Sequence, residues 1–387
     1  MQLCHSVFES LPQLVQLGLK PVQINALLER PTPALPMRVT RVDRGACLVI
    51  AYGCKDSPLP FAEARAPDTP DSGATEAFSL SIALDAQCEP IAVGDWLVPR
   101  TNGDSGLSVD FVLPRHTWLR RAAISNSSQM QLIASNLDTV FIVTARAESE
   151  KLDRRQQNSR RLERFLWLVR EGGATPIVLI NKSDLSATDE HHTGQLSRRL
   201  GGVPVLAVSA LEQRGLEALT PYLYQGNSIG MIGPSGVGKS TLINRLLGHD
   251  MLDTGEARLS DGKGRHTTTR RELVVTPSGA CLIDTPGMRE VGLYSEDGQT
   301  VGFLDVQELA VGCRFNDCGH EDEPGCAVLA AIARGDLLRD RLDSFHSLAR
   351  DAERQALRHD AYGRHLANKQ LRRFGKVVRV GQRLKGA

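Results

Sequence analysis

The sequence has no uninterrupted apolar run close to the about 18–20 residues that a membrane-spanning helix needs. Its first residues also lack the basic segment, apolar core and small-residue cleavage site that make up a secretory signal. A hydrophobic content of 41% and a charged content of 24% are typical of globular proteins. We therefore expect a cytoplasmic protein with no membrane partner.

The chain has no internal repeat and almost no net charge, with a formal value of +1 at pH 7. Global charge therefore favours no class of partner, but the distribution of charge is uneven. Residues 364–387 contain eight lysines and arginines and no acidic residue. Such a tail either contacts the phosphate backbone of a nucleic acid or is simply solvated, and charge alone leaves both interpretations open.

Eight cysteines in a chain of 387 residues do not make a disulfide framework. Three of them, Cys313, Cys318 and Cys326, lie close together beside His320. Three thiolates and an imidazole are ligands that Zn²⁺ prefers, and four protein ligands leave no position for water. The cluster predicts one structural Zn²⁺ ion. The alternative is a group of reduced, buried cysteines beside an unrelated histidine.

The character of the sequence changes along the chain and predicts four regions. Residues 1–36 are predicted to be an N-terminal extension and linker. Five short β-type runs in residues 37–115 predict a small β-barrel, for which an OB-fold is the natural candidate. Strands and helices alternate in residues 130–294, which predicts an α/β domain with a mostly parallel sheet. Residues 295–387 are predicted to be helical, to bind zinc and to end in the basic tail.

The predicted elements of the two central regions follow from their apolar runs and turn residues. The predicted barrel strands are Met37–Val42, Ala46–Ala51, Phe78–Leu84, Asp95–Pro99 and Ser108–Leu113. The predicted strands of the α/β region are Thr139–Thr144, Pro176–Ile180, Val203–Val208, Ser228–Ile232 and Ala280–Ile283, with helices at Arg160–Arg170 and Ser240–Leu247.

A phosphate-binding loop, Gly233-x-x-x-x-Gly238-Lys239-Ser240, follows one predicted strand and opens a helix. Its glycines let successive backbone N–H groups face a phosphate, and the helix N-terminus adds a favourable partial charge. Lys239 is predicted to neutralise the β- and γ-phosphates, and Ser240 to bind Mg²⁺. The predicted phosphate-contacting residues of this loop are Gly233, Pro234, Ser235, Gly236, Val237, Gly238, Lys239, Ser240 and Thr241.

A base-recognition motif occupies residues 181–184, directly after another predicted strand. The carboxylate of Asp184 can accept hydrogen bonds from the N1–H and 2-amino groups of guanine, a donor pair that adenine does not offer. A second loop after the next strand is placed to support the same base through a backbone N–H. The residues predicted to bind the base are Asn181, Lys182, Ser183, Asp184, Ser209 and Ala210. The predicted nucleotide is therefore GTP rather than ATP.

Two further segments are predicted to respond to the γ-phosphate. Asp284 closes a predicted strand and would hold Mg²⁺ through a water, while the N–H of Gly287 would sense the γ-phosphate. Residues 267–269 are three consecutive threonines, one of which is predicted to bind Mg²⁺. We favour Thr268, although sequence cannot separate adjacent hydroxyls.

The usual group that orients water for hydrolysis is missing from the sequence. Met288 stands where many GTPases have a glutamine, and its side chain cannot orient a water. His266 is the best local candidate for positioning or deprotonating water. The alternatives are that His266 is structural and that a partner supplies the missing group.

The base motif precedes the phosphate loop, whereas an ordinary GTPase has the reverse order. This order predicts a circularly permuted GTPase domain. With its motifs Asn-Lys-x-Asp, Gly-Pro-Ser-Gly-Val-Gly-Lys-Ser, Gly-Arg-His-Thr-Thr-Thr and Asp-Thr-Pro-Gly, and its cysteine/histidine cluster, the chain resembles the RsgA/YjeQ family of bacterial GTPases. Residues 93–96, Val-Gly-Asp-Trp, are also similar to the OB domain of that family.

The resemblance implies a late-stage maturation factor of the small ribosomal subunit. Such a factor would bind the subunit and its rRNA through its OB and zinc domains, hydrolyse GTP to GDP and be released. Because of Met288, a nucleotide-switched RNA-binding module with little turnover stays open as the alternative. A P-loop kinase is disfavoured, because it has no use for the base motif. We expect a monomer.

Overall fold

In a computed structural model of the chain, the described residues are 10–30, 35–53, 76–84, 89–101, 106–122, 130–145, 152–185, 190–234, 236–249, 271–285 and 303–359. The chain divides into two compact units, residues 1–120 with 132–290 and residues 121–131 with 291–387. None of the described helices is both long enough and apolar enough to cross a membrane.

The described elements begin with one helix and eight consecutive strands, continue with alternating helices and strands, and end with three helices. The strands are β1 (Met37–Asp43), β2 (Ala46–Gly53), β3 (Glu76–Ala83), β4 (Trp96–Thr101), β5 (Leu107–Val112), β6 (Trp118–Ala122), β7 (Met130–Ser135), β8 (Thr139–Ala145), β9 (Thr175–Asn181), β10 (Val205–Ala207), β11 (Ser228–Ile232), β12 (Glu272–Val275) and β13 (Cys281–Asp284). The helices are α1 (Pro21–Leu28), α2 (Leu152–Glu171), α3 (Glu190–Arg199), α4 (Lys239–Leu247), α5 (Leu304–Ala310), α6 (Ala327–Arg334) and α7 (Arg339–His359).

The first five strands close into the small barrel that the sequence predicts. β1, β2 and β3 pair antiparallel in succession, and β3 then pairs in parallel with β5. β5 pairs antiparallel with β4, and β4 returns to β1 to close the circle. Alternate side chains such as Val39, Val49 and Ile82 fill the interior. Closure leaves the barrel strands with few open edges.

The α/β region is built on parallel strands in the order β10-β9-β8-β11-β13, followed by the antiparallel strand β12. β9 is buried from its second residue onward and β11 throughout, as expected for parallel strands covered on both faces. The carboxyl ends of β9, β11 and β13 lead directly into the sequence motifs, at the edge where open α/β sheets bind ligands.

Strand β1 joins the barrel to the α/β sheet. Its first residues, Met37 and Arg38, pair with β4, whereas Arg41 pairs with Glu272 of β12. Between them, a β-bulge at Thr40 shifts the register of β1 against β2. The described strands of the barrel and of the α/β region therefore form one continuous 11-stranded sheet.

Residues 10–30, within the predicted extension, contribute to the core. Leu14, Leu17 and Leu27 are at most 2% exposed. Gln23 Nε2 donates to Asn136 Oδ1 at 2.8 Å, and Lys20 Nζ lies 2.8 Å from Asp138 Oδ1. The apolar spacing in the sequence did not indicate this packing, because each contact partner lies far away along the chain.

A buried arginine connects the N-terminal segment, the barrel and the α/β sheet. Arg38 of β1 is fully buried, and its NH2 donates to Ser228 Oγ at 2.8 Å and to Asn136 O at 3.3 Å. Its NH1 donates to the carbonyl of Leu17. Since an arginine without partners is very costly to bury, these three acceptors constrain how the segments meet.

A buried aspartate makes a second connection. Asp95, also fully buried, accepts hydrogen bonds from Arg115 Nε at 2.7 Å, Ser135 Oγ at 2.6 Å and the Ala92 N–H at 2.8 Å. These donors come from the loop before β4, the chain after β5 and the end of β7. The Asp95 carboxylate therefore fixes the barrel against the start of the α/β region.

The described part of the second unit contains α5, α6, α7 and the loop that carries the cysteine cluster. Arg341 of α7 is 3% exposed, and its Nε and NH2 donate to the Asp305 carboxylate at 2.9 and 3.0 Å. The same guanidinium lies 4.0 Å from the ring centroid of Phe303. This pair and ring contact hold α5 against α7.

We predict that Asp95→Ala lowers the free energy of unfolding by about 3–5 kcal/mol, because it leaves Arg115 without its buried partner. Chemical denaturation measured by fluorescence tests this expectation. The control is Asp110→Ala, which removes a partly exposed carboxylate paired with Arg30 and is expected to cost less than about 1 kcal/mol. Equal losses in the two variants would contradict a structural role for the buried carboxylate.

Candidate functional site

The phosphate loop lies between β11 and α4 and requires glycine at two described positions. Gly233 has φ +147°, and a Cβ there would overlap the carbonyl oxygen of Val143. Gly238 has φ +89°, and a Cβ there would overlap the side-chain amide of Asn181. The loop therefore runs closely over the ends of β8 and β9, and no other residue fits at these positions without a shift.

Lys239, the first residue of α4, folds back over the loop. Its Nζ donates to the carbonyl oxygens of Gly233 at 2.9 Å and Pro234 at 2.8 Å. Burial lowers the pKa of Lys239, while the charge of Asp284 acts in the opposite direction. The ammonium group is thus held over the first residues of the loop by their carbonyl oxygens, where a bound anion would compete for it.

Asp284 ends β13 and is 6% exposed. Burial raises its pKa to about 6, against the opposing effect of Lys239. The next residue is also fixed, because the hydroxyl of Thr285 donates to the carbonyl of Met231. A buried carboxylate near a phosphate loop can bind Mg²⁺ directly or through a water, and a cation would favour its ionised form.

Asn181 connects the phosphate loop to the loop at residues 209–211, which is called the base loop below. It is 2% exposed at the end of β9, and its Nδ2 donates to Val237 O at 2.8 Å. Its Oδ1 accepts from the N–H of Ala210 at 3.0 Å. Three segments that are distant in sequence are therefore joined through one buried amide.

Asp184 is held in place by a serine of the base loop. Its Oδ1 accepts a hydrogen bond of 2.5 Å from Ser209 Oγ, which lowers the pKa of Asp184. Ser209 Oγ in turn accepts from the N–H of Glu212 at 3.1 Å. Lys182 adopts the left-handed conformation with φ +60°, which is uncommon for a non-glycine residue and turns the chain sharply after β9. The carboxylate is therefore ionised and fixed in orientation.

The structure brings together most of the residues that the sequence nominates for the nucleotide. Ser240 and Thr241 lie in the first turn of α4, and Ser183 lies in a short 3-10 turn after β9. Four nominated residues lie outside the described residues, and they are Ser235, His266, Thr268 and Gly287.

Sequence reasoning missed one side chain that contacts this site. Arg245, in the last turn of α4, donates from its Nε to Ala210 O at 3.2 Å. No motif includes this residue. The only available signal in the sequence is the position of Arg245 in the helix. The phosphate-loop motif fixes the start of that helix at about residue 239, so residue 245 lies about one and a half turns further along.

The four metal-ligand candidates converge in the second unit. The ligand atoms of Cys313, Cys318, His320 and Cys326 all lie within 4.8 Å of one another. Cys313 Sγ lies 3.9 Å from Cys326 Sγ, and His320 Nδ1 lies 3.4 Å from Cys326 Sγ. Zinc bonds of about 2.3 Å to sulfur and 2.0–2.1 Å to nitrogen give tetrahedral edges of about 3.5–3.8 Å. The cluster could therefore hold a zinc ion through Nδ1 of the histidine.

The loop around His320 is held by hydrogen bonds between the side chain of Glu323 and the backbone of the loop. The carboxylate of Glu323 accepts N–H bonds from Gly319 at 2.6 Å, Glu321 at 2.9 Å and Asp322 at 3.2 Å. Backbone N–H groups, including its own, lower the pKa of Glu323 to about 2. Burial lowers the pKa of His320, which favours the neutral imidazole that a metal requires. The loop around His320 therefore presents a neutral histidine beside the three cysteines.

Comparison with known families finds two matching family models. The RsgA GTPase model matches residues 112–294, which include both the base motif and the phosphate loop. An ABC transporter model matches residues 216–383. That range contains the phosphate loop, which many nucleotide-binding families share, but excludes the base motif at 181–184.

Several proteins named small ribosomal subunit biogenesis GTPase RsgA are similar over most of their length. The protein from Methanosarcina acetivorans is 43% identical over 278 residues, which cover 71% of this chain and 73% of that protein. The protein from Streptomyces coelicolor is 38% identical over 355 residues, which cover 91% of this chain and 89% of that protein.

Solved structures agree on the fold. The crystal structure of YjeQ from Thermotoga maritima superposes with a TM-score of 0.55 and 22% identity, covering 82% of this chain and 98% of that one. YloQ, described as a circularly permuted GTPase, superposes with a TM-score of 0.53 and 21% identity, covering 83% and 96%. The permuted GTPase fold and the N-terminal small barrel predicted from the sequence are confirmed. On this evidence, the chain belongs to the RsgA family of GTPases.

Proposed function

We propose that this GTPase acts in the late maturation of the small ribosomal subunit in the cytoplasm, where it binds rRNA and is released after hydrolysing GTP to GDP. The observation that carries the nucleotide part is the double hydrogen bond of Asn181, which joins the phosphate loop to the base loop. The names of the relatives support the ribosomal part.

The base is proposed to be guanine because of the state of Asp184. An ionised carboxylate held by Ser209 presents a pure acceptor to the ligand. Guanine offers two adjacent donors, N1–H and the 2-amino group, whereas adenine has an acceptor at N1. Asn181, Lys182, Ser183 and Ala210 complete the proposed base site.

The phosphates are proposed to occupy the loop from Gly233 to Thr241, with Lys239 as the neutralising cation. Mg²⁺ accompanies GTP, and Ser240 and Asp284 are the described residues that would hold it. Thr268 as a further Mg²⁺ ligand, Gly287 as the γ-phosphate sensor and His266 as the group that orients water remain sequence-based proposals. Bound Mg²⁺ would supply charge neutralisation at the phosphates.

The RNA-binding surfaces are proposed to be the barrel and the C-terminal region. The pairing order β1-β2-β3-β5-β4, closed by β4 on β1, supports assignment of the barrel to the OB type, a fold that commonly binds oligonucleotides. One structural Zn²⁺ held by Cys313, Cys318, His320 and Cys326 would organise the helical C-terminal domain. The basic residues after 364 would add contacts to phosphate.

The proposed domain boundaries are those of the sequence analysis, with an extension at 1–36, a barrel at 37–115, a permuted GTPase domain at 130–294 and a zinc domain at 295–387. We propose a monomer that works without a membrane. A second candidate function, a nucleotide-switched RNA-binding module with little turnover, is favoured by Met288, which stands where many GTPases have a glutamine.

The first test measures GTP turnover with and without purified small ribosomal subunits. We expect stimulation of about tenfold or more, since a partner can supply a catalytic group to a GTPase that lacks its own. Lys239→Ala, which removes the phosphate cation, serves as the inactive control. If subunits leave the turnover unchanged, or if ATP is hydrolysed as fast as GTP, the proposed assembly GTPase is wrong and the RNA-binding module is favoured.

The second test addresses base recognition. Asp184→Asn is expected to weaken GTP binding about ten- to hundredfold, because its neutral amide can accept only one of the two hydrogen bonds and places a donor against the other donor of guanine. It should gain affinity for xanthosine triphosphate, whose 2-carbonyl can accept from the new amide. Competition against a fluorescent GDP measures both. Unchanged preference for GTP would show that Asp184 does not read the base.

The third test addresses the metal. We expect one zinc ion per chain by atomic emission, and its loss in Cys326→Ala with a lower melting temperature. Cys281→Ala, which changes a buried cysteine of the other unit, should keep its zinc. Full zinc content in Cys326→Ala would remove this cluster as the metal site.

A further inference from the structure

The structure assigns a role to Arg245 that no motif indicates. We propose that Arg245 is a positioning residue, which orients the peptide between Ala210 and Leu211 so that the Leu211 N–H reads the 6-position of the purine base. This inference rests on the proposed GTP site, in which the loop at residues 209–211 supplies a backbone N–H to the base, and it adds the arginine that orients that N–H.

The first step is the geometry of that peptide. Arg245 Nε donates to Ala210 O at 3.2 Å, and no peptide of the described chain is cis. In a trans peptide, the C=O and the following N–H point in opposite directions. A hydrogen bond that fixes the Ala210 carbonyl towards α4 therefore also fixes the Leu211 N–H away from it.

The second step is which donors of this loop are available. The N–H of Ser209 donates to Arg214 O at 2.9 Å, that of Ala210 to Asn181 Oδ1 at 3.0 Å and that of Glu212 to Ser209 Oγ at 3.1 Å. Within the described part of the chain, the Leu211 N–H has no protein acceptor. It is therefore left for a ligand in a loop whose neighbouring N–H groups are engaged.

The third step is the place of the free donor. Ser209, two residues before Leu211, holds Asp184 through the 2.5 Å hydrogen bond described above. Asp184 is the proposed reader of N1–H and the 2-amino group, and O6 is the next atom along the same edge of guanine. A backbone N–H two residues after Ser209 complements that oxygen, because O6 is an acceptor and a carboxylate has no proton to donate to it.

The fourth step is the rigidity of the support. Helix α4 begins at Lys239, over the phosphate loop, and its buried residues Leu242, Ile243 and Leu247 pack in the core of the α/β sheet. The same helix therefore contacts the phosphate loop with its first turn and the base loop with its last. A guanidinium bonded to a carbonyl also polarises the peptide and strengthens its N–H as a donor.

The test compares three diphosphates, so that hydrolysis does not interfere. In 6-thio-GDP a sulfur, a weaker acceptor, replaces O6, while N1–H and the 2-amino group are kept. IDP keeps O6 and N1–H and lacks only the 2-amino group. Dissociation constants are measured on the full chain with Mg²⁺, by competition against a fluorescent GDP.

We expect Arg245→Ala to shrink the preference for GDP over 6-thio-GDP by about three- to tenfold, the contribution of one hydrogen bond. The preference for GDP over IDP, which Asp184 sets, should not change. Arg245→Gln, whose amide can still donate to the Ala210 carbonyl, should recover most of the lost preference. The control is Arg198→Ala, another exposed arginine in the last turn of a helix, which should alter neither ratio.

Equal losses for all three nucleotides, or no change in the 6-thio-GDP ratio, would overturn the proposal, because a merely structural arginine does not distinguish positions on the base. The wild-type protein separates this failure from that of the proposed function. If the wild type itself does not prefer GDP to IDP or 6-thio-GDP, the guanine site is wrong. If it does and Arg245→Ala matches it, only the role of Arg245 fails.

Discussion

The buried amide of Asn181 is the constraint on which the nucleotide site depends. A side-chain amide with 2% exposure must satisfy its donor and its acceptor inside the protein, since an unpaired buried group costs about 1–3 kcal/mol. It does so with the phosphate loop on one side and the base loop on the other. This bond pattern depends on where strands end and not on the order of the chain, so a permuted sequence can build the same site.

A second set of buried polar groups fixes the barrel. Arg38 and Asp95 are fully buried and bonded across the barrel, the N-terminal segment and the first strands of the α/β region. The barrel has little freedom to move against the other segments, because a displacement would leave one of these buried charges without a partner. The barrel therefore lies in the same compact unit as the nucleotide site, and Glu272 is in register with both Arg41 of the barrel and Asp284 of the site.

Local patterns predicted much of this arrangement, and long-range contacts explain the rest. Apolar runs placed Ser228–Ile232 as the structure has it, and the glycines and Lys239 marked the start of α4 within one residue. β12 is only four residues long, and the sequence analysis did not predict it. The packing of residues 10–30 and the contact of Arg245 depend on partners that the fold brings near, so no periodicity or motif indicates them.

The bulge at Thr40 divides one edge of β1 between two neighbours, β4 before it and β12 after it. A strand shared in this way joins the barrel to the α/β sheet through its own backbone pairing. Recombination that exchanged the barrel for another would strip β12 of a pairing partner and expose an edge prone to aggregation. A replacement barrel would need its own bulge at the same register to keep β12 paired.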